Sequence, residues 1–184
     1  MQLLEQPYKH YIKENFFSPE QFQMLREFTQ QSRWTYYDNV DFPQYIIQKK
    51  LIEEYFFNQE AGREKFSFLF HINFIHSLEP LFRISLEKCV AISFHKLIKP
   101  NFNIVHNDYN EYGEKFRIVC YLSEPETYEG GELNLYSMFN LKSPFASYKL
   151  NANTAFIFAM NQESFHSVSE VISGERVCIV ITYQ

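Results

Sequence analysis

The sequence predicts a mainly β fold, a sandwich or barrel of short strands with α-helices packed outside it. The second half alternates short β-prone segments with turn residues, which is the pattern of small antiparallel sheets. The first half contains one well-capped helix and a second stretch with helical spacing. Twenty Phe and thirteen Tyr among 184 residues can supply a large aromatic core or an aromatic-lined pocket.

The most clearly delimited helix lies near the N-terminus. Ser18 is an N-cap residue, Pro19 suits the first helical position, and Gln21 completes a capping box. The side chains that follow with helical spacing are Phe22, Leu25, Phe28 and Thr29. This pattern predicts a helix over residues 19–31 with one buried face.

The rest of the first half mixes helix and strand signals. Residues 75–88 repeat the helical spacing, with Pro80 near the first turn, and we expect both helices on the outer face of the larger sheet. Residues 34–37 and 65–70 are predicted to be strands that extend that sheet. Residues 40–58 show no single period, so they are the candidate for structure that covers a substrate.

Strand signals dominate the second half. Residues 117–123 form an alternating, β-prone run, and a loop at 124–130 separates it from a second strand at 131–136. Further strands are predicted at 154–159 and at 176–182. Short strands with turn residues between them indicate a sandwich or barrel.

Two histidines and one aspartate in this half form a candidate metal site. His106 and Asp108 are two positions apart, so on a strand or at its end their side chains point to the same face. His166 lies far enough along the chain for antiparallel strands to go out and return beside that pair. Two imidazoles and one carboxylate make the facial triad that holds Fe(II) and leaves positions open for a co-substrate and O2.

Arg176 is the candidate for binding an acidic co-substrate. It begins the β-prone run 176–182, and a guanidinium that points into a barrel needs a carboxylate, which its fork can hold with two hydrogen bonds. The natural partner is the distal carboxylate of 2-oxoglutarate. Alone, an H-x-D, a buried histidine or an arginine each has an ordinary structural explanation. Their order and spacing together favour an oxygenase.

From about residue 94 to residue 183 the chain resembles the Fe(II)/2-oxoglutarate dioxygenases, and specifically their prolyl 4-hydroxylase-like branch. The motifs that carry the resemblance are H-x-D at 106–108, YLS at 121–123, GGEL at 130–133, HSV at 166–168 and GER at 174–176. The resemblance implies a double-stranded β-helix, of the jelly-roll or cupin type, with N-terminal helices on its major sheet. It implies one domain over 1–184, with residues 1–90 as wrapper and sheet extension and 91–184 as core.

The resemblance also implies roles for individual residues. Iron is expected on His106, Asp108 and His166, and the far carboxylate of 2-oxoglutarate on Arg176, with the Tyr121 phenol at the same carboxylate. The sequence departs from the pattern at residue 178, where Cys replaces the Ser or Thr of many relatives, and it lacks a glycine that the branch often has before the H-x-D. These departures concern the co-substrate contacts and leave the triad intact.

The implied reaction uses O2 and 2-oxoglutarate to hydroxylate an unactivated C–H bond, with succinate and CO2 as products and ascorbate as reductant. Halogenating relatives replace the triad carboxylate with Gly or Ala, so Asp108 favours hydroxylation. We expect a small amino-acid-like or carrier-bound metabolite as the substrate. The alternatives are a peptidyl residue, as for prolyl hydroxylases, and a non-enzymatic cupin-like metal-binding module. The oligomeric state stays open, as does whether His95 faces the barrel interior.

Composition excludes some other classes of partner. The formal net charge of −5 disfavours nucleic acid, because binding phosphates requires a basic face. No run of apolar residues reaches the roughly 18 that a membrane span requires. Three cysteines without a paired spacing indicate reduced thiols, which predicts a cytoplasmic location.

Overall fold

Two antiparallel sheets form the centre of the molecule in the computed structural model, which describes residues 2–47, 52, 60–70, 73–110 and 113–184. The strands, in chain order, are β1 (Gln2–Leu4), β2 (His10–Lys13), β3 (Trp34–Tyr37), β4 (Gln44–Ile47), β5 (Cys89–Ile98), β6 (Asn103–His106), β7 (Phe116–Tyr121), β8 (Tyr128–Gly130), β9 (Leu133–Leu135), β10 (Ala146–Tyr148), β11 (Ala155–Ala159), β12 (His166–Val168) and β13 (Val171–Tyr183).

The order of strands places the first half of the chain at both edges of the larger sheet. In the part of the chain that the structure describes, that sheet runs β1-β2-β11-β7-β13-β5-β4-β3, and β8 pairs with one end of β13. The smaller sheet runs β10-β9-β12-β6. The prediction of a mainly β, two-sheet fold is therefore correct. The strand at 34–37 is also confirmed, since β3 lies at an edge of the larger sheet.

Helix α1 (Pro19–Gln31) begins and ends where the sequence predicts. The Gln21 N–H donates to Ser18 Oγ at 3.2 Å, and the Ser18 N–H donates to Gln21 Oε1 at 3.1 Å, which closes the capping box. Leu25 and Phe28 are buried, and the Phe28 ring lies 5.1 Å from the ring of Phe94 on β5. The helix therefore packs on the outer face of the larger sheet, as expected.

Two predictions for the first half are wrong. The helix expected over 75–88 is two short helices, α3 (Asn73–His76) and α4 (Glu79–Phe82), because Pro80 cannot donate to the preceding turn and Arg83 takes a left-handed conformation that ends α4. The strand expected over 65–70 is the end of α2 (Glu60–Lys65) and a 3-10 turn (Ser67–Leu69). Phe66 and Leu69, three apart, are the side chains buried there.

Part of the segment proposed to cover the substrate is a strand. Residues 44–47 form β4, which pairs with β5 in the larger sheet, and most of the stretch from 48 to 58 lies outside the described residues. The side chains before and at the start of β4, those of Phe42 and Gln44, line a cavity discussed below. The prediction that residues 40–58 cover a substrate stays a prediction.

Successive side chains of β13 point alternately to the apolar core outside the barrel and to the barrel interior. Ile179 and Ile181 belong to the apolar cluster that packs against the helices. Arg176, Cys178 and Val180 face the opposite side and line a cavity between the sheets. This alternation of side chains is what points Arg176 inward.

Three cysteines, Cys89, Cys120 and Cys178, are free thiols. No helix among the residues that the structure describes is both long and apolar enough to cross a membrane.

Candidate metal centre

His106, Asp108 and His166 meet at one end of the smaller sheet. His106 ends β6 and His166 begins β12, and the two residues are direct partners in the strand register, with ring centroids 4.3 Å apart. Asp108 follows β6 in a left-handed conformation (φ 57°), which turns its carboxylate back toward the rings. One potential ligand atom from each residue lies within 4.8 Å of the others. The structure therefore brings the three predicted residues together.

Both imidazoles are oriented by the backbone. Nδ1 of His106 lies 2.8 Å from the carbonyl oxygen of Ile104, and Nδ1 of His166 lies 2.9 Å from that of Ser164. With Nδ1 facing a carbonyl, Nε2 is the nitrogen that each ring directs into the cluster. This is the orientation that a metal-binding histidine requires, held by the kind of backbone contact that commonly orients such ligands.

The carboxylate of Asp108 lies among positive and hydrogen-bonding groups. Its Oδ1 is 3.5 Å from Nε2 of His106, and its Oδ2 is 3.3 Å from Nε2 of His166. Arg117 Nη1 lies 2.6 Å from Oδ1. Burial alone would raise the pKa of Asp108, but contacts with the two histidines and the charge of Arg117 outweigh it and hold this pKa well below its ordinary value. Asp108 is therefore an anion, as a metal ligand must be.

The donor set fits Fe(II). Two neutral imidazole nitrogens and one carboxylate are the ligands of the facial triad, and catalytic sites leave positions open. Within the described residues, the cluster contains no fourth His, Cys, Asp or Glu that could close a metal's coordination sphere. A purely structural metal site commonly has such a fourth ligand, so this geometry disfavours the metal-binding module without activity.

The three residues open into a cavity of about 210 Å³ between the sheets. Arg176, Cys178 and His95 line the same cavity, and all three come from neighbouring strands, since Cys178 pairs with His95 across β13 and β5. Burial and the charges of Arg117 and Arg176 lower the pKa of His95 to about 4. His95 therefore faces the interior as a neutral imidazole, which resolves the orientation that the sequence left open.

Arg176 is a buried cation with few partners. Its Nη2 donates to the Tyr121 hydroxyl at 3.0 Å, its Nη1 lies 3.9 Å from the sulfur of Cys178, and its guanidinium stacks 4.8 Å from the centre of the Tyr121 ring. Its Nε has no hydrogen-bond partner among the residues that the structure describes. No carboxylate in the described part of the chain forms an ion pair with it. A guanidinium buried in this way fits an acidic ligand, because an uncompensated buried charge is costly.

The two glycines of the GGEL motif allow a close backbone approach beside Arg176. Both have positive φ, and a Cβ on Gly131 would lie 3.0 Å from Cδ of Arg176. A Cβ on Gly130 would collide with the carbonyl oxygen of Glu170. Gly131 therefore leaves room for the Arg176 side chain, and Gly130 lets the chain pass close to the Glu170 backbone.

Arg117 is the residue in the site that the sequence analysis missed. It begins the predicted strand 117–123, and a β-prone run by itself assigns it no role in the site. The signal was available, because Arg117 and Tyr121 are four positions apart on one strand and therefore share a face. Two unpaired polar atoms, Gln44 Oε1 and Asn103 Oδ1, were also not foreseen, and the side chains that carry them line the same cavity.

A two-sheet β fold with a His-Asp-His cluster beside a buried arginine defines the class of mononuclear iron oxygenases built on a double-stranded β-helix. The profile of the 2OG-Fe(II) oxygenase superfamily matches residues 92–184, half of the chain, and the chain belongs to this superfamily. Membership confirms the predicted class, a 2-oxoglutarate- and Fe(II)-dependent dioxygenase with Fe(II) as cofactor and 2-oxoglutarate as co-substrate.

Individual relatives agree with the prolyl 4-hydroxylase-like branch. A PKHD-type hydroxylase of Pseudoalteromonas atlantica is 41% identical over 58 residues, which are 32% of this chain and 23% of that protein, so the match spans less than a quarter of the relative. A prolyl-4-hydroxylase from Pseudomonas putida superposes with a TM-score of 0.61 at 15% identity, over 95% of this chain and 91% of that chain.

A third similar structure is a prolyl hydroxylase from Trichoplax adhaerens, determined in complex with a peptide fragment of the hypoxia inducible factor oxygen degradation domain. It superposes with a TM-score of 0.67 at 17% identity, over 95% of this chain and 82% of that chain. At this identity the similarity establishes the fold, and with it the predicted double-stranded β-helix.

Proposed function

We propose that this protein hydroxylates an unactivated C–H bond of a small amino-acid-like or carrier-bound metabolite, and that 2-oxoglutarate is converted to succinate and CO2 in the same turnover. The observation that carries the proposal is one cavity lined by both the His106, Asp108 and His166 cluster and the buried Arg176. The cavity can therefore hold a metal ion and a dicarboxylic acid side by side. Bound iron supplies the activation of O2.

The residues have separate tasks in this proposal. His106, Asp108 and His166 hold the iron, and Arg176 binds the distal carboxylate of 2-oxoglutarate with Tyr121 as its neighbour. The Tyr121 hydroxyl already accepts a hydrogen bond from Arg176, so its proton is free to be donated to a carboxylate. Halogenation would require a halide to bind the metal in the position of the triad carboxylate. Because Asp108 fills that position, hydroxylation is favoured.

The size and polarity of the cavity support a small polar substrate. About 210 Å³ must receive 2-oxoglutarate and the reacting part of the substrate. Within the described ranges, Gln44 Oε1 and Asn103 Oδ1 are buried acceptors without a protein donor. Because an unsatisfied buried acceptor is costly, these oxygens fit the N–H groups of an amino-acid-like molecule.

A peptidyl residue is the second candidate, and one exposed loop favours it. Residues 137–145 connect β9 to β10, and β9 carries Leu135, the register partner of His166. The large apolar side chains exposed on this loop are Met138, Phe139, Leu141 and Phe145. Phe139 is 90% exposed, which is unusual for a phenylalanine and typical of a surface that contacts another chain.

We also propose that the chain acts as one domain over 1–184 in a reducing, cytoplasmic environment. Strands β1 to β4 continue the larger sheet on both sides of β7 and β13, so residues 1–90 extend the core formed by 91–184. The three thiols are free, and burial raises the pKa of Cys89 to about 12. Such thiols behave as inert apolar groups.

The test is a succinate-release screen with Fe(II), ascorbate and 2-oxoglutarate over free amino acids, carrier-bound amino acids and peptides. The proposal expects succinate above the uncoupled background with a member of the first two classes, and none with His166→Ala. Stimulation by peptides alone would favour the second candidate. No 2-oxoglutarate consumption under any condition would contradict both.

A further inference from the structure

We infer that Arg117 is a positioning residue that makes Asp108 bind the metal through a single oxygen atom. The inference rests on the proposed role of Asp108 as a ligand. Arg117 Nη1 lies 2.6 Å from Oδ1, which is a strong, charge-assisted contact. The other oxygen, Oδ2, faces Nε2 of His166 at 3.3 Å. Oδ1 also lies 3.5 Å from Nε2 of His106, but Arg117 is its nearer partner, so Oδ2 is the oxygen without a cation beside it.

Arg117 is itself held by the loop that carries Asp108. Its Nη2 lies 3.6 Å from Oε2 of Glu114, and Asn110 Nδ2 donates to the same Oε2 at 2.8 Å. Asn110 Nδ2 also donates to the backbone carbonyl of Asp108 at 3.2 Å. Asp108, Arg117, Glu114 and Asn110 therefore form a closed ring of contacts.

The ring connects a loop to a rigid strand. Asp108 lies beyond the end of β6, so no strand pairing sets the direction of its carboxylate. Arg117 lies on β7, which is paired on both sides, with β11 and β13. The side chains of Arg117 and Asp108 are only 20% and 16% exposed, so water screens their attraction weakly. The strand thereby fixes which oxygen points at the metal.

Binding through one oxygen matters for the co-substrates. A carboxylate that binds through both oxygens occupies one more coordination position, and the open positions of a facial triad are those that 2-oxoglutarate and O2 require. With Oδ1 held by Arg117, binding of the metal through both oxygens of Asp108 is disfavoured. The remaining Nε of Arg117 has no partner in the described part of the chain and the side chain lines the cavity, so its charge also faces the co-substrate anion.

The test compares Arg117→Met and Arg117→Lys with a matched control, Lys115→Met. Lys115 lies two residues away on the same segment, and it contacts Glu87 at 3.8 Å and the carbonyl of Ser85, away from Asp108. The readouts are thermal unfolding of the metal-free protein, Co(II) affinity and visible spectrum, and anaerobic affinity of the metal-loaded protein for 2-oxoglutarate.

We expect Arg117→Met to fold and to keep Co(II) affinity within about threefold, because the removed cation also repelled the metal. Its Co(II) spectrum should change, and its 2-oxoglutarate affinity should fall about tenfold, the scale of lost ligand-orienting contacts. Arg117→Lys, which keeps the charge and one donor, should recover most of that affinity, and Lys115→Met should match the wild type.

Two results in the variants would overturn the inference alone. If Arg117→Met has the spectrum and 2-oxoglutarate affinity of Lys115→Met, Arg117 does not orient the carboxylate. If Arg117→Met and Arg117→Lys both lose Co(II), the arginine only maintains the loop. Absence of Co(II) binding by the wild-type protein would overturn the proposed ligand set, and the inference with it.

Discussion

His106 and His166 face each other as register partners on β6 and β12, with their rings 4.3 Å apart and each Nδ1 held by a carbonyl two residues earlier in the chain. One strand pair thus places the two proposed imidazole ligands side by side in the same orientation. Asp108, turned back by its left-handed backbone, brings the proposed third ligand from the loop beyond the strand. The sheet therefore positions the imidazoles, and a local turn brings the carboxylate to them.

Replacing His166 with Ala should abolish stoichiometric Fe(II) binding and turnover, because the metal loses one of three protein ligands. His166 is buried at 7% exposure, so the change also removes packing volume. We expect a loss of about 1–3 kcal/mol in the free energy of unfolding of the metal-free protein. Equilibrium dialysis with Fe(II) and chemical denaturation measure the two effects.

His10→Ala is the matched control for that variant. His10 is also fully buried, and its Nδ1 contacts the carbonyl of Tyr8 at 2.8 Å, two residues earlier, as in the ligand histidines. It lies outside the metal cluster. We expect a similar loss of stability with Fe(II) binding retained. Loss of iron in His10→Ala, or retained iron in His166→Ala, would contradict the ligand assignment.

Asp108→Gly should separate hydroxylation from halogenation. The wild type is expected to give hydroxylated product even in high chloride, since Asp108 leaves no vacancy for a halide. The variant loses a ligand and a neutralising charge, and it leaves Arg117 without its partner, so weak iron binding and little turnover are expected. Mass spectrometry of the product formed under 18O2 decides the matter. A chlorinated product from the wild type, or intact succinate formation in the variant, would show that this carboxylate is not a ligand.

His95 should make the stability of the metal-free protein depend on pH. Its folded pKa is about 4, below the ordinary 6.5, so the unfolded chain binds an extra proton between these values. The resulting stability is fully present above about pH 6.5 and is lost as the pH falls toward 4. Between pH 7 and pH 4.5, the free energy of unfolding of the wild type should fall by about 1–2 kcal/mol more than that of His95→Gln. This range allows for the partial exposure of His95. An equal pH dependence of the free energy of unfolding in the wild type and in His95→Gln would exclude this role.

The parts of the fold that follow local rules could be predicted from the sequence. The Ser18 to Gln21 capping box fixes the start of α1, and the alternation of residues 117–123 and 176–182 predicts β7 and β13. His106 and Asp108 could be predicted because H-x-D spacing at a strand end is a local property. His166 could be predicted as the third member from the order of the motifs that follow.

The errors arose where tertiary contacts decide. The spacing over 75–88 was helical, but Arg83 in a left-handed conformation interrupts it, and no local signal marks an arginine for that conformation. The alternating phenylalanines of 65–70 looked like a strand, whereas burial of Phe66 and Leu69 selects a helical turn. The strand alternation places Arg117 on the same face as Tyr121, but its contact with Asp108 depends on the path of the loop that returns Asp108 to it.

The most direct test of the account is anaerobic titration of the Fe(II) protein with 2-oxoglutarate, followed by the metal-to-ligand charge-transfer absorption band. The band should appear in the wild type and be absent in His166→Ala. Arg176→Leu should keep the iron and lose about 2–5 kcal/mol of 2-oxoglutarate affinity, the scale of breaking a buried charge pair. No band in the wild type, or a loss below about threefold in Arg176→Leu, would contradict a 2-oxoglutarate site built from this triad and this arginine.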